Sequence, residues 1–309
     1  MIDYIAEINR LKREKHAIIM AHYYQTGDIQ DVADVVGDSL ALAQRAAATD
    51  AEIIVLCGVH FMGETAKILS PTKKVLIPDV NAGCSLAESC PAERFETFVK
   101  AHPEHTVISY VNTSAAVKAL TDVVVTSTNA RKIVEQFPRD AKLIFAPDRN
   151  LGNYLNSITG RNMLLWDGAC HVHEQFSVER LVALKAAHPD APVLAHPECK
   201  SAVLTLADFI GSTQALLDYT SESAAQTFLV ATESGILHEM AKRNPDKNFV
   251  PVPPNDSSCA CNECSFMRLN TMEKLYLCLR DETPEIIINE ELRQRAIRPV
   301  LRMLEMTNL

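Results

Sequence analysis

This 309-residue chain lacks any apolar run approaching the roughly 20 residues that a membrane-spanning helix needs. A bilayer is therefore not expected as its partner. It also lacks an excess of basic charge. Its 30 Lys and Arg stand against 39 Asp and Glu, a net charge of −9. Without a basic stripe to track a phosphate backbone, nucleic acid is not an expected partner either. The opening segment MIDYIAEINRLKREKH is amphipathic and charged, with no apolar h-region. It does not read as a secretory signal, and a soluble, cytoplasmic protein is expected. Glycine and proline are scarce at the joints between apolar runs, which argues for compact units without floppy linkers. Nor is there a paired CxxC…CxxC ribbon or a ferredoxin-type cysteine run. Any metal site must be assembled from distant parts of the chain.

What the sequence does have is apolar mass and cysteine. Apolar residues make up 47% and charged residues 22%, enough for a sizeable core in two or three domains. Nine cysteines is a high and odd number for a reducing compartment, where disulfides rarely persist. Such a count points to metal, cluster or thiol chemistry. Cys57, ending the run IIVLC, and Cys278, inside EKLYLCLRD, are read as small buried hydrophobes.

Apolar runs recur at 17–21, 53–57, 75–78, 106–111, 123–126, 143–146, 163–166, 192–195, 227–231 and 249–252. Segments of helical periodicity such as LALAQRAAA, ARKIVEQF, VERLVALKAA and GILHEMAKR fall between most of them. Continuous apolar strands alternating with helices predict an α/β fold, with parallel sheets covered on both faces.

A longer period lies over this alternation. AIIMAHYY, TVISYVNT and PVLAHPEC each run from an apolar strand into a polar triplet: His22-Tyr23-Tyr24, Tyr110-Val111-Asn112 and His196-Pro197-Glu198. Five pairs stand 86 residues apart: Tyr110 and His196, Asn112 and Glu198, Asp122 and Asp208, Ser127 and Thr213, Cys84 and Cys170. The outer steps are less regular, 88 from His22 to Tyr110 and 94 from Cys170 to Cys264. The chain thus reads as three pseudo-threefold-related, three-layer αβα domains at 1–83, 84–170 and 171–264, each with a small parallel sheet. A C-terminal helical segment, 265–309, is expected to pack back on the first.

Ligands of open parallel sheets sit beyond the carboxyl ends of the strands. All three triplets lie at such ends, and residues i and i+2 of an extended segment point the same way. His22, Tyr24, Tyr110, Asn112, His196 and Glu198 should therefore converge, with Cys84, Cys170 and Cys264 reaching the same centre. The triplet residues can bind carboxylates and move protons. Ser127 and Thr213 stand where a strand gives way to a helix, which suits an anion; Ser39 is either a third such donor or a plain N-cap. His173, three residues past Cys170, is a further candidate for the same centre. Lys67 and Lys200 read as solvated, and His60 with Glu64 as an i, i+4 helix pair.

The three periodic thiols leave alternatives open. A zinc ion would need a fourth ligand, Cys261 or a histidine. A cubane cluster held by three cysteines would leave one iron without a protein ligand, a Lewis acid suited to eliminating a hydroxyl. Three unrelated buried thiols are the third alternative, against which the period argues. Cys90 and Cys199 have no assigned role. The run Cys259–Cys264 could offer an alternative ligand or a thiol pair that responds to oxidation.

AHYYQTGDIQDVADVVGDSLALA, GVHFMGETAKIL, PDVNAGCSLAE, YVNTSA, GACHVHE, AHPEC, IGST and CSFMRLNTMEKLY, in that order from about residue 20 to 280, together resemble the quinolinate synthases. The resemblance implies a transferase of NAD biosynthesis with a [4Fe–4S] cluster at the meeting point of its three domains. It implies condensation of iminoaspartate with dihydroxyacetone phosphate to quinolinate, with loss of phosphate and water. An L-aspartate oxidase or dehydrogenase is then the expected functional partner. Carried over by position, the cluster ligands are Cys84, Cys170 and Cys264. The substrate-binding residues are His22, Ser39, Tyr110, Asn112, Ser127, His196, Glu198 and Thr213. Tyr24, His22, His173 and Glu198 are the expected acid/base groups. Where the family often reads CPYMKMNT, this chain reads CSFMRLNT, which keeps the cysteine and the helix register. A cluster-dependent hydro-lyase of a hydroxy acid and a redox or iron sensor are the competing readings. The sensor would need an output surface that the sequence does not display.

Overall fold

The computed structural model describes residues 2–255 and 262–308. Among these, twelve strands form three four-stranded sheets. The first holds β1 (Ala17–His22), β2 (Val35–Gly37), β3 (Ile53–Cys57) and β4 (Lys74–Leu76). The second holds β5 (Thr106–Tyr110), β6 (Val123–Val125), β7 (Leu143–Ala146) and β8 (Leu164–Leu165). The third holds β9 (Val193–Ala195), β10 (Phe209–Ile210), β11 (Thr227–Ala231) and β12 (Asn248–Pro251). The three orders are β2-β1-β3-β4, β6-β5-β7-β8 and β10-β9-β11-β12, with every pairing parallel. Each sheet is thus the same topology repeated, an αβα domain with helices on both faces.

The strands are short, so their sequence has little room to alternate. Ile53–Cys57 and Leu143–Ala146 are buried at every position, as expected for sheets covered on both sides. Ten of the twelve strands coincide with the apolar runs of the sequence. β2 and β10 do not, because edge strands of three and two residues carry too few side chains to make a pattern.

An aspartate pins the second strand to the first in all three domains. Asp34 accepts the Ile19 N–H at 2.8 Å, Asp122 that of Val107 at 2.7 Å, and Asp208 that of Val193 at 2.8 Å. In return the N–H of each aspartate donates to the carbonyl of the same partner at 2.9 Å. The reciprocal pair fixes register where the edge strand is too short to fix it by packing.

The C-terminal segment does not serve the first domain alone. The helix Met272–Asp281 packs on Tyr4–Glu14 and β3. The longer helix Glu290–Asn308 lies across His60–Leu69 of the first domain and across β6, Ala115–Lys118 and Ala130–Glu135 of the second. Ala296, Val300 and Met303 are fully buried there, within the core that these two domains share.

Candidate active site

The sequence-selected side chains line a single cavity of about 710 Å³, counting its mouth, at the carboxyl ends of the strands. His22 and Tyr24 arrive from β1, Tyr110 and Asn112 from β5, and His196 and Glu198 from the turn after β9. Ser39, Ser127 and Thr213 come from the turns that follow β2, β6 and β10. Ser39 is not the cap of its helix. Asp38 is, its side chain accepting the Ala41 N–H at 2.9 Å, which leaves the Ser39 hydroxyl for the cavity.

Cys84, Cys170 and Cys264 line the same space; the first two cap a single helical turn, and Cys264 precedes the short 3-10 helix Met267–Leu269. Their carbonyls accept the N–H four residues on, from Glu88, Glu174 and Arg268, at 2.9, 3.0 and 3.1 Å. All three are free thiols. Burial pushes Cys84 up to about 12, raises Cys170 well above the usual range, and raises Cys264. Unmetallated, they are neutral thiols; binding a metal would remove their protons. Cys259 and Cys261 lie outside the described residues. Cys57 and Cys278 are buried in the apolar core of the first domain.

The two histidines of the triplets share one geometry. His22 Nδ1 accepts the Tyr24 N–H at 3.1 Å, and His196 Nδ1 accepts the Glu198 N–H at 3.4 Å. The ring proton is therefore assigned to Nε2 in both. Burial lowers His22 to about 4 and His196 to about 3, against a partial opposing effect from Glu198. Both are neutral at physiological pH and present an N–H donor.

Glu198 is the electrostatic centre. It accepts from the Tyr110 hydroxyl at 2.6 Å. His173 Nδ1 lies 3.1 Å from its other oxygen, off the line that a hydrogen bond requires. Burial acts to raise the Glu198 carboxyl, but its interactions with His173, His196 and the Tyr110 hydroxyl outweigh it and hold the group below the usual carboxylate range, as a buried negative charge. Burial and this same charge raise Tyr24 and Tyr110 well above theirs, so both phenols keep their protons. The Tyr24 hydroxyl is held by Thr213 at 3.1 Å and Thr232 at 2.8 Å; Thr232 also meets His173 Nε2 at 3.0 Å. A chain of exchangeable protons thus joins Thr213, Tyr24, Thr232 and His173, with His173 beside Glu198.

Two features make room for Tyr24. A Cβ on Gly235 would stand 2.7 Å from the Tyr24 backbone, so the close approach of the first and third domains at this point needs that side chain to be missing. Arg268 donates to the Tyr24 carbonyl at 2.6 Å and to Glu233 at 2.9 Å. Glu233 in turn accepts the Cys264 N–H at 3.1 Å. Its carboxyl is raised to about 7, burial outweighing Arg268.

Several of these residues have no signature in the sequence. Glu233 and Asp148 follow the third strands of their sheets, and both are buried. The two stand 85 residues apart, so the strict 86-residue period misses them by one. Arg268 and Thr232 carry no such signal.

Among the described residues, the groups whose ligand atoms all lie within 4.8 Å include Cys170 with His173 and Glu198, and do not include the three thiols together. Zinc bonded to sulfur at about 2.3 Å sets its thiolates roughly 3.8 Å apart. The three sulfurs do not all lie within 4.8 Å of one another, a wider spread than that.

The family model for NadA, quinolinate synthetase A protein, matches residues 6–305. The chain belongs to this family. A protein named quinolinate synthase from Thermosynechococcus vestitus is 60% identical over 306 residues, covering 99% of this chain and 96% of that one. Proteins of the same name from Chloroherpeton thalassium and a Synechococcus strain are each 59% identical, over 99% of this chain and 95% of theirs. Relatives this similar along their whole length share the three-domain frame on which the cavity is built.

Proposed function

We propose that this protein is a quinolinate synthase, condensing iminoaspartate with dihydroxyacetone phosphate and releasing phosphate and water. The observation that carries the reading is the meeting, on one cavity, of three thiols, one from beyond the last strand of each sheet, with a neutral donor set and the buried carboxylate of Glu198. Family membership and relatives bearing that name support it.

Cys84, Cys170 and Cys264 would hold a [4Fe–4S] cluster, which when bound supplies a Lewis acid for loss of a hydroxyl. The protein's own groups do the rest. The Nε2–H of His22 and His196, the amide of Asn112 and the hydroxyls of Ser39, Ser127 and Thr213 bind the carboxylates and phosphate of the substrates. Glu198, ionised, would accept a proton from the methylene carbon next to the imine, which gives the nucleophilic enamine, or from the imine nitrogen; Tyr110 holds its orientation. Tyr24, protonated, is placed to return a proton during ring closure, with Thr232 and His173 behind it. Iminoaspartate must come from an enzyme that oxidises aspartate, and the reaction belongs in the reducing cytoplasm, where thiols stay free.

Anaerobically prepared protein should form quinolinate from iminoaspartate and dihydroxyacetone phosphate. Tyr24→Phe should lower turnover about 100-fold or more while the visible cluster absorption stays unchanged. Iron without quinolinate would move the reading to a hydro-lyase. Full turnover in Tyr24→Phe would remove that residue from the chemistry.

A further inference from the structure

Lys118 is fully buried and does not line the cavity. It ends the short helix Ala115–Lys118. Its ammonium donates to the carbonyl of Val111 at 2.8 Å and to that of Thr113, the two residues that flank Asn112. It also sits 5.5 Å above the ring of Phe61, which does line the cavity. No carboxylate hydrogen-bonds to it among the described interactions. The charged or titratable groups acting on it are Glu64, whose Oε2 is occupied by the Ala115 N–H at 2.9 Å, and Cys84. Burial lowers Lys118 to about 8, which still leaves it mostly charged at neutral pH.

The first domain holds the same turn without a charge. Gln30 stands 88 residues before Lys118, the spacing that relates His22 to Tyr110. Its amide donates to the carbonyls of Tyr23 at 3.1 Å and Gln25 at 2.8 Å, which flank Tyr24. Lys118 and Gln30 thus bond carbonyls seven and five residues behind themselves, each gripping the turn that presents a cavity residue. A neutral amide does this work in one domain, so holding the turn does not by itself require a cation in the other. Burying an unpaired ammonium is costly, and a glutamine would avoid that cost.

The cavity supplies a reason to keep the charge. Among the described residues its lining contains Glu198, Glu233 and Asp38 but no Lys or Arg. On the functional reading above, it must also accept dianionic ligands and three thiolates. We infer that Lys118 is a positioning residue whose buried positive charge offsets the anions in the cavity from behind Asn112 and Phe61, so that dicarboxylates bind there. A charge in the protein interior is screened less than one in water and so acts over a longer range.

The test compares Lys118→Gln, which copies Gln30, with Lys118→Met, which removes both the donor and the charge. Both are prepared anaerobically, and quinolinate binding to each is measured by calorimetry beside thermal unfolding and iron content. Lys118→Gln should keep the wild-type Tm and iron content while binding quinolinate about tenfold or more weakly. Lys118→Met should lose both affinity and Tm. Wild-type affinity in Lys118→Gln would overturn the inference and leave Lys118 a structural donor. Failure of Lys118→Gln to fold, with Lys118→Met folding and binding normally, would overturn it as well. If the wild-type protein itself binds no quinolinate, the functional reading has failed, an outcome that the variants cannot imitate.

Discussion

The two ends of the strands follow opposite rules. At the amino ends and edges, the three domains use one device three times: Asp34, Asp122 and Asp208 each exchange two hydrogen bonds with the neighbouring strand at nearly identical distances. At the carboxyl ends, corresponding positions have diverged. Tyr24, Asn112 and Glu198 occupy one set, and Gln30, Lys118 and Leu204 another. The difference separates what the fold requires from what the chemistry requires. A repeated frame places three turns around one space, and each turn then supplies a different reactive group.

Substitutions at the two ends should therefore fail differently. The largest effect is expected for Glu198→Gln. The fold should survive, because a carboxamide still fills the site and accepts from Tyr110, while turnover falls about 100-fold or more as the buried base is lost. Steady-state rates beside circular dichroism would check this, and a loss of fold with the rate would blur the proposed division. Gly235→Ala should come next. Its methyl group collides with the Tyr24 backbone, so turnover should drop about tenfold or more with little change in the iron–sulfur absorption. At the other end, Asp122→Ala strips the Val107 N–H of its acceptor. Stability should fall by about 1–2 kcal/mol, read as a Tm lower by a few degrees, with kcat unchanged. A kcat loss comparable to that of Glu198→Gln would show that the ends are not separable.

The smallest effect near neutrality is one of pH. His22 titrates at 6.5 when exposed and at about 4 when buried here, and His196 at about 3. Folding disfavours their charged forms, so the unfolded chain binds protons more readily. Their contribution to stability is complete above pH 6.5 and is lost as pH falls toward 4. Tm measured from pH 7.5 to 4.5 should be flat at first and then decline, and His22→Asn should soften the decline.

The parts legible in the sequence were those marked by repetition or by apolar runs. Pairs at one spacing mark Tyr110, Asn112, His196, Glu198, Ser127 and Thr213 in the sequence itself. Asp34, the third copy of the Asp122 and Asp208 clamp, escaped because the first domain is offset by 88 residues and not 86. Ser39 was noticed, but not as the mate of Ser127, for the same reason. β2 and β10 were too short to form a pattern. Lys118, Glu233, Asp148 and Arg268 were invisible for another cause: a charged residue near a turn looks solvated in a sequence, and only packing reveals that it is buried and holds a backbone in place.

The measurement closest to the heart of this arrangement is iron and sulfide content per chain, after anaerobic purification, for the wild type and for Cys84→Ala, Cys170→Ala and Cys264→Ala. One thiol from beyond each sheet, around one cluster, predicts about four irons and four sulfides in the wild type, and loss of the cluster in every variant. Zinc in place of iron, or a variant that keeps a full cluster, would contradict the proposed ligation by three thiols.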